Sequence, residues 1–288
     1  MITHTIKRQP KSTTVIELSI PKDFIAQESE KAFLELMKTV EAEGFRKGKV
    51  PREIAQKHIA KDAIYQKMLQ TVLPGIYQDI VTKEKLEPIV SPKIDLTSAK
   101  EGEDWKLTMT VAEKPHIDLK GYKAAVQKAK TASKAADIWV PGKEEKKEED
   151  ANTKSQRQLN AVLDAILKET SCDISDLVIE EELNRRLTQL VDEVQKIGLT
   201  VEAYLKTKNT TIEKLREQYQ KEISDMYKLE FILAQIADNE HITVEQADLD
   251  KLFANAKTPE ERKAAEQNAY MYASILRKQK VIDYLNSL

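Results

Sequence analysis

The sequence predicts an α+β protein. An N-terminal α+β domain covers residues 1–115, a charged linker 116–151, and an elongated all-α domain 152–288. Three observations carry this reading. Strand alternation brackets helical periodicity in the first part, a run of mixed charge follows, and a period near 3.6 dominates the rest. The 288 residues hold only 7 glycines and 9 prolines, too few tight turns for a β-sandwich or barrel. Apolar residues make up 41% and charged residues 33%, so a core can form beneath a very polar surface.

Thr14, Ile16, Leu18 and Ile20 alternate with polar neighbours, the period of a half-buried strand. An earlier strand near Ile2–Ile6 can pair with it through the turn-rich Gln9-Pro10-Lys11-Ser12. From Pro21 the period changes, and Ile25, Phe33, Leu36, Met37 and Val40 fall on one helical face that Gly44 ends. Pro51 then suits the first residue of a new helix. Ile64, Met68, Leu69, Val72, Ile76 and Ile80 continue a helical pattern, with a bend expected at Pro74-Gly75. Ile89, Ile94 and Leu96 precede a turn at Lys100–Glu103. Trp105, Leu107, Met109 and Val111 follow it, predicting a hairpin with one buried face that Pro115 closes.

Residues 116–150 change character. Pro141-Gly142 leads into Lys143–Asp150, a mixed charge run that cannot bury a core. Ile138, Trp139 and Val140 are the exception and suit docking on a neighbouring domain. Everything after Asn152 reads as helix. Leu159, Val162, Leu163, Ile166 and Leu167 form one stripe. Ile179, Leu183, Leu187, Leu190, Val191 and Val194 form a second, capped by Gly198. Thr200 caps a short helix with Tyr204 and Leu205. Thr210 with Glu213, Thr243 with Gln246, and Thr258 with Glu261 mark three more starts.

Several function classes are disfavoured. One cysteine, Cys172, excludes an internal disulfide framework and points to a reducing compartment; as a nucleophile it has no partner in the sequence, and it reads as a partly buried helix-end residue. His4, His58, His116 and His241 are scattered without ligand spacing, so no metal is expected. Glycine spacing fits neither a phosphate loop nor a dinucleotide fingerprint, no catalytic residues assemble, and no cofactor is implied. The N-terminus lacks the apolar stretch of a secretion signal, and no window has the length of a membrane helix. A cytoplasmic protein without a membrane partner is expected. Glu181 and Glu182 with Arg185 and Arg186 read as surface ion pairs on a helix.

The informative stretch is Gly44-Phe45-Arg46-Lys47-Gly48-Lys49-Val50-Pro51. Two glycines free the backbone at both ends of a short loop, and Pro51 fixes the next helix. The tip presents a ring and three cations. Arg46, Lys47 and Lys49 can meet carboxylates or phosphates, while Phe45 supplies an apolar anchor. On physics alone, a solvated loop whose phenylalanine folds back onto the core remains an open alternative.

Gly-Phe-Arg-x-Gly-Lys-x-Pro between two helices of an N-terminal α+β domain resembles the ribosome-docking signature of the trigger factor family. The helix through Val40 and Glu41-Ala42-Glu43, the restart at Val50–Ile54, and the exit segment Thr110–Leu119 extend the likeness over residues 1–125. From 155 onward only the helical order matches. The resemblance implies an ATP-independent chaperone that holds nascent and unfolded polypeptides and docks beside the peptide exit tunnel, on a ribosomal protein and adjacent RNA. It makes Phe45, Arg46 and Lys47 the docking triplet, supported by Gly44, Gly48 and Lys49. A homodimer of the free protein is compatible with it.

Family members usually carry an FKBP-like prolyl isomerase domain between the N-terminal and helical domains. Residues 123–158 contain one aromatic, Trp139, and offer no core for such a domain, so no isomerase activity is expected. Candidate client contacts are Tyr204, Met226, Tyr227, Phe231, Tyr270, Met271 and Tyr272, where aromatic rings and flexible methionines suit promiscuous apolar binding. Three rivals stand beside this reading. One is a scaffold or assembly protein whose basic loop binds a single acidic partner. The others are a secreted SurA-like chaperone, disfavoured by the missing signal, and an enzyme.

Overall fold

The computed structural model describes residues 2–136, 151–254 and 258–288. The chain divides into two compact units, Met1–Lys114 and Pro115–Leu288.

The first unit is built on a four-stranded antiparallel sheet. Strands β1 (Thr3–Gln9) and β2 (Thr13–Ile20) form the expected hairpin, with Ile6 opposite Ile16. Lys11 and Ser12 adopt positive φ in its turn. Two further strands, β3 (Lys93–Ser98) and β4 (Trp105–Ala112), complete the order β1-β2-β4-β3. Alternation in the two central strands buries Ile16, Leu18 and Ile20 beside Leu107, Met109 and Val111. Helices α1 (Lys22–Met37) and α3 (Lys61–Glu84) cover this face with Ile25, Ala32, Met68, Leu73 and Ile80. Each buried Ile, Leu, Val or Met side chain among these contributes about 1.5–3 kcal/mol. Tyr65 meets Trp105 edge-on at 4.9 Å between ring centres.

Three details differ from the sequence reading. First, α1 stops at Met37 and not at Gly44, because the N–H groups of Lys38, Thr39 and Val40 turn back to the carbonyls of Glu35 and Leu36. Pro51 accordingly caps the next helix, α2 (Arg52–His58), from outside. Second, the helix that starts after Pro51 does not run on into the 64–80 stripe: α2 ends at His58, and α3 carries that stripe as a separate, continuous helix that includes Pro74. Third, the 93–112 hairpin buries only one of its strands. Ile94 and Leu96 stay 40% and 48% exposed, since β3 is an edge strand, and Ile89 lies ahead of it, bonded to Ala112.

The second unit corrects the linker boundaries of 116–151. Strand β5 (Ile117–Asp118) and helix α4 (Tyr122–Ala136) are ordered elements, and Ile117, Tyr122 and Val126 are buried. Alanines and lysines give α4 high helix propensity with few large apolar residues, so it reads like solvated chain. Ile138, Trp139, Val140 and Lys143–Asp150 lie outside the described residues. Helix α5 (Ala151–Glu169) packs on α4. Strand β6 (Ser171–Cys172) then pairs with β5, a short strand in a region expected to be all helix. Helices α6 (Asp176–Lys196), α7 (Val201–Thr207), α8 (Ile212–Asn239), α9 (Gln246–Phe253) and α10 (Pro259–Gln267) follow. The last helix is α11 (Ala269–Ser287). Val178, Leu183, Ile223, Ile232, Ile236, Val281 and Leu285 are buried among them.

The helix caps explain these boundaries. Gly198, at φ 75°, closes α6: its N–H reaches Gln195 and that of Leu199 reaches Val194. Thr200 and Thr258 cap α7 and α10 with their hydroxyls. For α8 the cap is Thr211, one residue beyond the expected Thr210. For α9 it is Glu245 paired reciprocally with Asp248, and not Thr243 with Gln246. Glu182 is buried and holds both Arg185 and Arg186, which differs from a surface pair. Cys172 is buried within β6, and burial pushes its thiol up to about 11, which keeps it protonated and unreactive.

Candidate functional site

Residues 38–51 connect α1 to α2 and carry the basic motif. Two successive β-turns shape the loop. In the first, the Phe45 N–H donates to the Ala42 carbonyl at 3.0 Å, and in the second the Lys49 N–H donates to Arg46 at 2.9 Å. Each turn has glycine in its third position with positive φ, Gly44 at 83° and Gly48 at 73°. That is the type II geometry for which glycine is the default residue. The two glycines differ in surroundings. A Cβ on Gly44 would meet nothing within 4 Å, whereas one on Gly48 would lie 2.8 Å from the Lys38 carbonyl oxygen. The Gly48 N–H also reaches back to Val40 at 3.4 Å. Gly48 therefore seals the loop against the end of α1.

Beneath the turns sits a small apolar base. Phe33, Val50 and Ala55 are buried there, with Met37, Val40, Ala42 and Ile54 packed around them. Arg52 clamps the base from outside. Its guanidinium donates to both carboxylate oxygens of Glu30, at 2.6 and 2.7 Å, and lies over the Phe33 ring at 5.4 Å. Such a planar bidentate pair fixes the start of α2 relative to α1.

From this base the tip faces outward. Phe45 is 41% exposed and stands apart from the buried cluster. Arg46, Lys47 and Lys49 are exposed. Lys47 lies 3.3 Å from Glu41, while among the described residues neither Arg46 nor Lys49 has a carboxylate partner. The loop thus brings together all six predicted residues on one short, braced projection. An aromatic ring beside uncommitted cations can bind a surface that mixes apolar, acidic and phosphate groups.

The seven expected client contacts are placed differently from one another. Tyr204 packs on the cluster of Leu190, Val194 and Leu215. Tyr227 and Phe231 stack at 6.5 Å, and Tyr272 meets Phe253 edge-on at 5.9 Å. Met226 is exposed, and its sulfur accepts from Arg186 at 3.6 Å. Tyr270 is 91% exposed, with Met271 beside it on the surface. Sequence reasoning missed Ile197, Leu199 and Ile212, which are exposed at the turns around α7. The readable signal was two large aliphatics flanking a capping glycine, outside any helical stripe.

Elsewhere in the second unit a polar knot joins three elements. Glu240, just past α8, accepts from the Tyr122 hydroxyl at 2.7 Å and the Tyr284 hydroxyl at 2.8 Å. Lys123 lies 2.8 Å from the same carboxylate. These donors hold Glu240 well below its ordinary value of 4.5, at about 2, with Lys123 the largest cause. Desolvation first, and then the bond to Glu240, push Tyr122 far up. Among the described residues no group of three or more metal-ligating side chains assembles, and no helix is long and apolar enough to cross a membrane.

Comparison with known proteins adds the family. The model for the bacterial trigger factor protein matches residues 2–140, and that for the bacterial trigger factor C-terminus matches residues 142–286. Trigger factors from two Streptococcus pneumoniae strains, Hungary19A-6 and TIGR4, are each 30% identical over 165 residues. That stretch is 57% of this chain but spans only 36% of the length of those relatives. A solved structure described as "Promiscuous Substrate Recognition in Folding and Assembly Activities of the Trigger Factor Chaperone" superposes with a TM-score of 0.62. It covers 98% of both chains at 14% identity, a likeness of fold. With both family models together spanning nearly the whole sequence, this chain belongs to the bacterial trigger factor family.

Proposed function

We propose that this protein is an ATP-independent chaperone of the cytoplasm that docks on ribosomes and holds nascent or unfolded polypeptides. Docking runs through Phe45, Arg46 and Lys47, with Lys49 as a further cation and Gly44 and Gly48 shaping the turns. The partner surface is an exit-tunnel protein and the RNA next to it. One observation carries the reading. In a chain of this family, a braced loop projects an exposed ring beside two cations that have no carboxylate partner among the described residues.

Holding unfolded chains needs exposed apolar surface. Tyr270, Met271 and Met226 supply some of it in the second unit, as do Ile197, Leu199 and Ile212. Tyr204, Tyr227, Phe231 and Tyr272 contribute through their partly exposed edges. No catalytic role is proposed, and a prolyl-peptide isomerisation assay should give no turnover above background.

Co-sedimentation with ribosomes tests the docking step. The protein should pellet with ribosomes at low salt, while a folded variant with Phe45, Arg46 and Lys47 all changed to alanine should stay in the supernatant. Equal pelleting would move docking elsewhere. Absence of both from the pellet, with one stoichiometric acidic partner recovered instead, would favour a scaffold role.

A further inference from the structure

Sulfur is distributed unevenly over this chain. Met68 and Met109 lie in the core of the first unit, 2% and 0% exposed, and Cys172 is buried. Met37 is half-buried in the base beneath the basic loop. Met226 of α8 and Met271 of α11 are 40% and 51% exposed, on the apolar surface that holds clients in the reading above. Met226 differs from Met271 in what stands behind it. Arg186 of α6 spreads its guanidinium over three acceptors. Its Nε lies 3.4 Å from Glu182, its Nη1 lies 3.6 Å from Glu222, and its Nη2 donates to the Met226 sulfur at 3.6 Å. Glu182 is itself buried, which fixes the root of the fork. Two arms thus meet carboxylates while the third meets a thioether, a weak acceptor. That arm is placed for a better acceptor than the one it has.

We propose that Met226 is a reversible oxidation site, converted by a peroxide to its sulfoxide, and that Arg186 holds the oxygen so gained. A sulfur lone pair attacks one peroxide oxygen. The S–O bond forms as the O–O bond breaks, sulfur gives up two electrons, and the departing hydroxide takes the remaining proton to leave as water. Oxygen added on the side of Arg186 stands within reach of Nη2, where a cation now meets a strong acceptor. A flexible apolar side chain becomes a polar one tied back to α6. Tyr227 and Phe231 stack beside it at 6.5 Å, and the patch they share with Met226 loses its flexible apolar member. Client holding weakens as a result, a consequence that rests on the chaperone reading. Met271 oxidises as well, with no donor to its sulfur among the described residues. Met68 and Met109 are spared because susceptibility follows exposure.

Peptide mapping of the full chain after graded hydrogen peroxide is the first test. Sulfoxide should appear at Met226 and Met271 at doses that leave Met68 and Met109 intact. In a Met271→Leu background, affinity for a permanently unfolded probe, reduced and carboxymethylated lactalbumin, should then fall about threefold. Methionine sulfoxide reductases, one for each epimer, should restore it. Adding Met226→Leu should bring the ratio of affinities before and after peroxide to about one, whatever the starting affinity. Melting temperature reads Arg186 without any client. Oxidation should leave it within about 1 °C in that background and lower it by about 2–4 °C once Arg186→Leu removes the donor. Met226→Gln carries an amide oxygen where the sulfoxide oxygen would stand, so it should weaken probe binding without peroxide, and it keeps the test open if Arg186→Leu does not fold. Oxidation of Met68 or Met109 ahead of Met226 overturns the proposal. So do probe binding that ignores the sulfoxide, undiminished sensitivity after Met226→Leu, and equal melting shifts with and without Arg186. An unoxidised chain that binds no probe overturns the chaperone reading instead, and mapping and melting still decide the site at Met226.

Discussion

Two polar sites in this molecule use charge in opposite ways. At the Glu240 knot, donors from Tyr122, Tyr284 and Lys123 converge on one carboxylate, so the charge is consumed internally. At the loop of residues 38–51, Arg46 and Lys49 lack carboxylate partners among the described residues, and the rigidity comes from turns and an apolar base beneath them. The difference teaches how to tell a structural charge from a binding one. A structural charge sits where its partners are already supplied; a binding charge is held in place by groups that leave it unsatisfied.

Mutations can break that contrast from either side. The largest effect should come from the triple change Phe45, Arg46 and Lys47 to alanine. Ribosome affinity should fall about a hundredfold or more, as for loss of a central hot spot, with a melting temperature within about 2 °C of wild type. Glu240→Ala should do the reverse. Three donors lose their acceptor, so the second unit should melt roughly 3–8 °C lower by calorimetry, while ribosome pelleting is unchanged.

Acid sharpens the same contrast. Glu240 titrates near 2 in the folded chain against 4.5 ordinarily. Its stabilising contribution is therefore present above about pH 4.5 and fades as pH falls towards 2. The decline in stability over that window, measured by chemical denaturation, should be shallower in Glu240→Gln.

Smaller effects separate the two glycines of the loop. Gly48→Ala puts a methyl group against the Lys38 backbone and should weaken docking about tenfold. Gly44→Ala meets only the backbone penalty and should cost about threefold. Equal losses would mean that the seal against α1 is unimportant. The smallest change should be a gain. Glu41→Gln releases Lys47, so ribosome affinity at low salt should rise by up to about twofold.

Much of the fold was legible where local and tertiary signals agree. Thr14, Ile16, Leu18 and Ile20 alternate because one face is core, and that periodicity survives in the structure as β2. Gly198, Thr200 and Thr258 were readable because a cap is decided by one side chain or one φ angle. The misreadings of Val40, β3 and α4 share a cause, since each depended on what a residue packs against; the caps of α8 and α9 were instead displaced locally, to Thr211 and Glu245. Val40 looks like the next rung of α1 but turns away to cover Val50 and Phe33. Ile94 and Leu96 look buried by alternation, and their exposure follows from sheet order, which one strand cannot reveal. Val126 anchors α4 among alanines and lysines whose burial depends on α5. For the docking loop, the glycines and cations were visible in the sequence. The Arg52–Glu30 clamp was not, because its partners are 22 residues apart and on different helices.

The pairing of β5 with β6 has one more consequence. Gly121, ahead of α4, abuts Glu169 at the end of α5, so the two helices run side by side as a closed-base hairpin. Chain entering at residue 136 and returning at 151 therefore connects two points already held by the hairpin beneath them. The entropy of closing such a connection grows only with the logarithm of its length, by about 0.6 kcal/mol for each doubling. A change of length between α4 and α5 would therefore cost little as long as the two helices keep their packing.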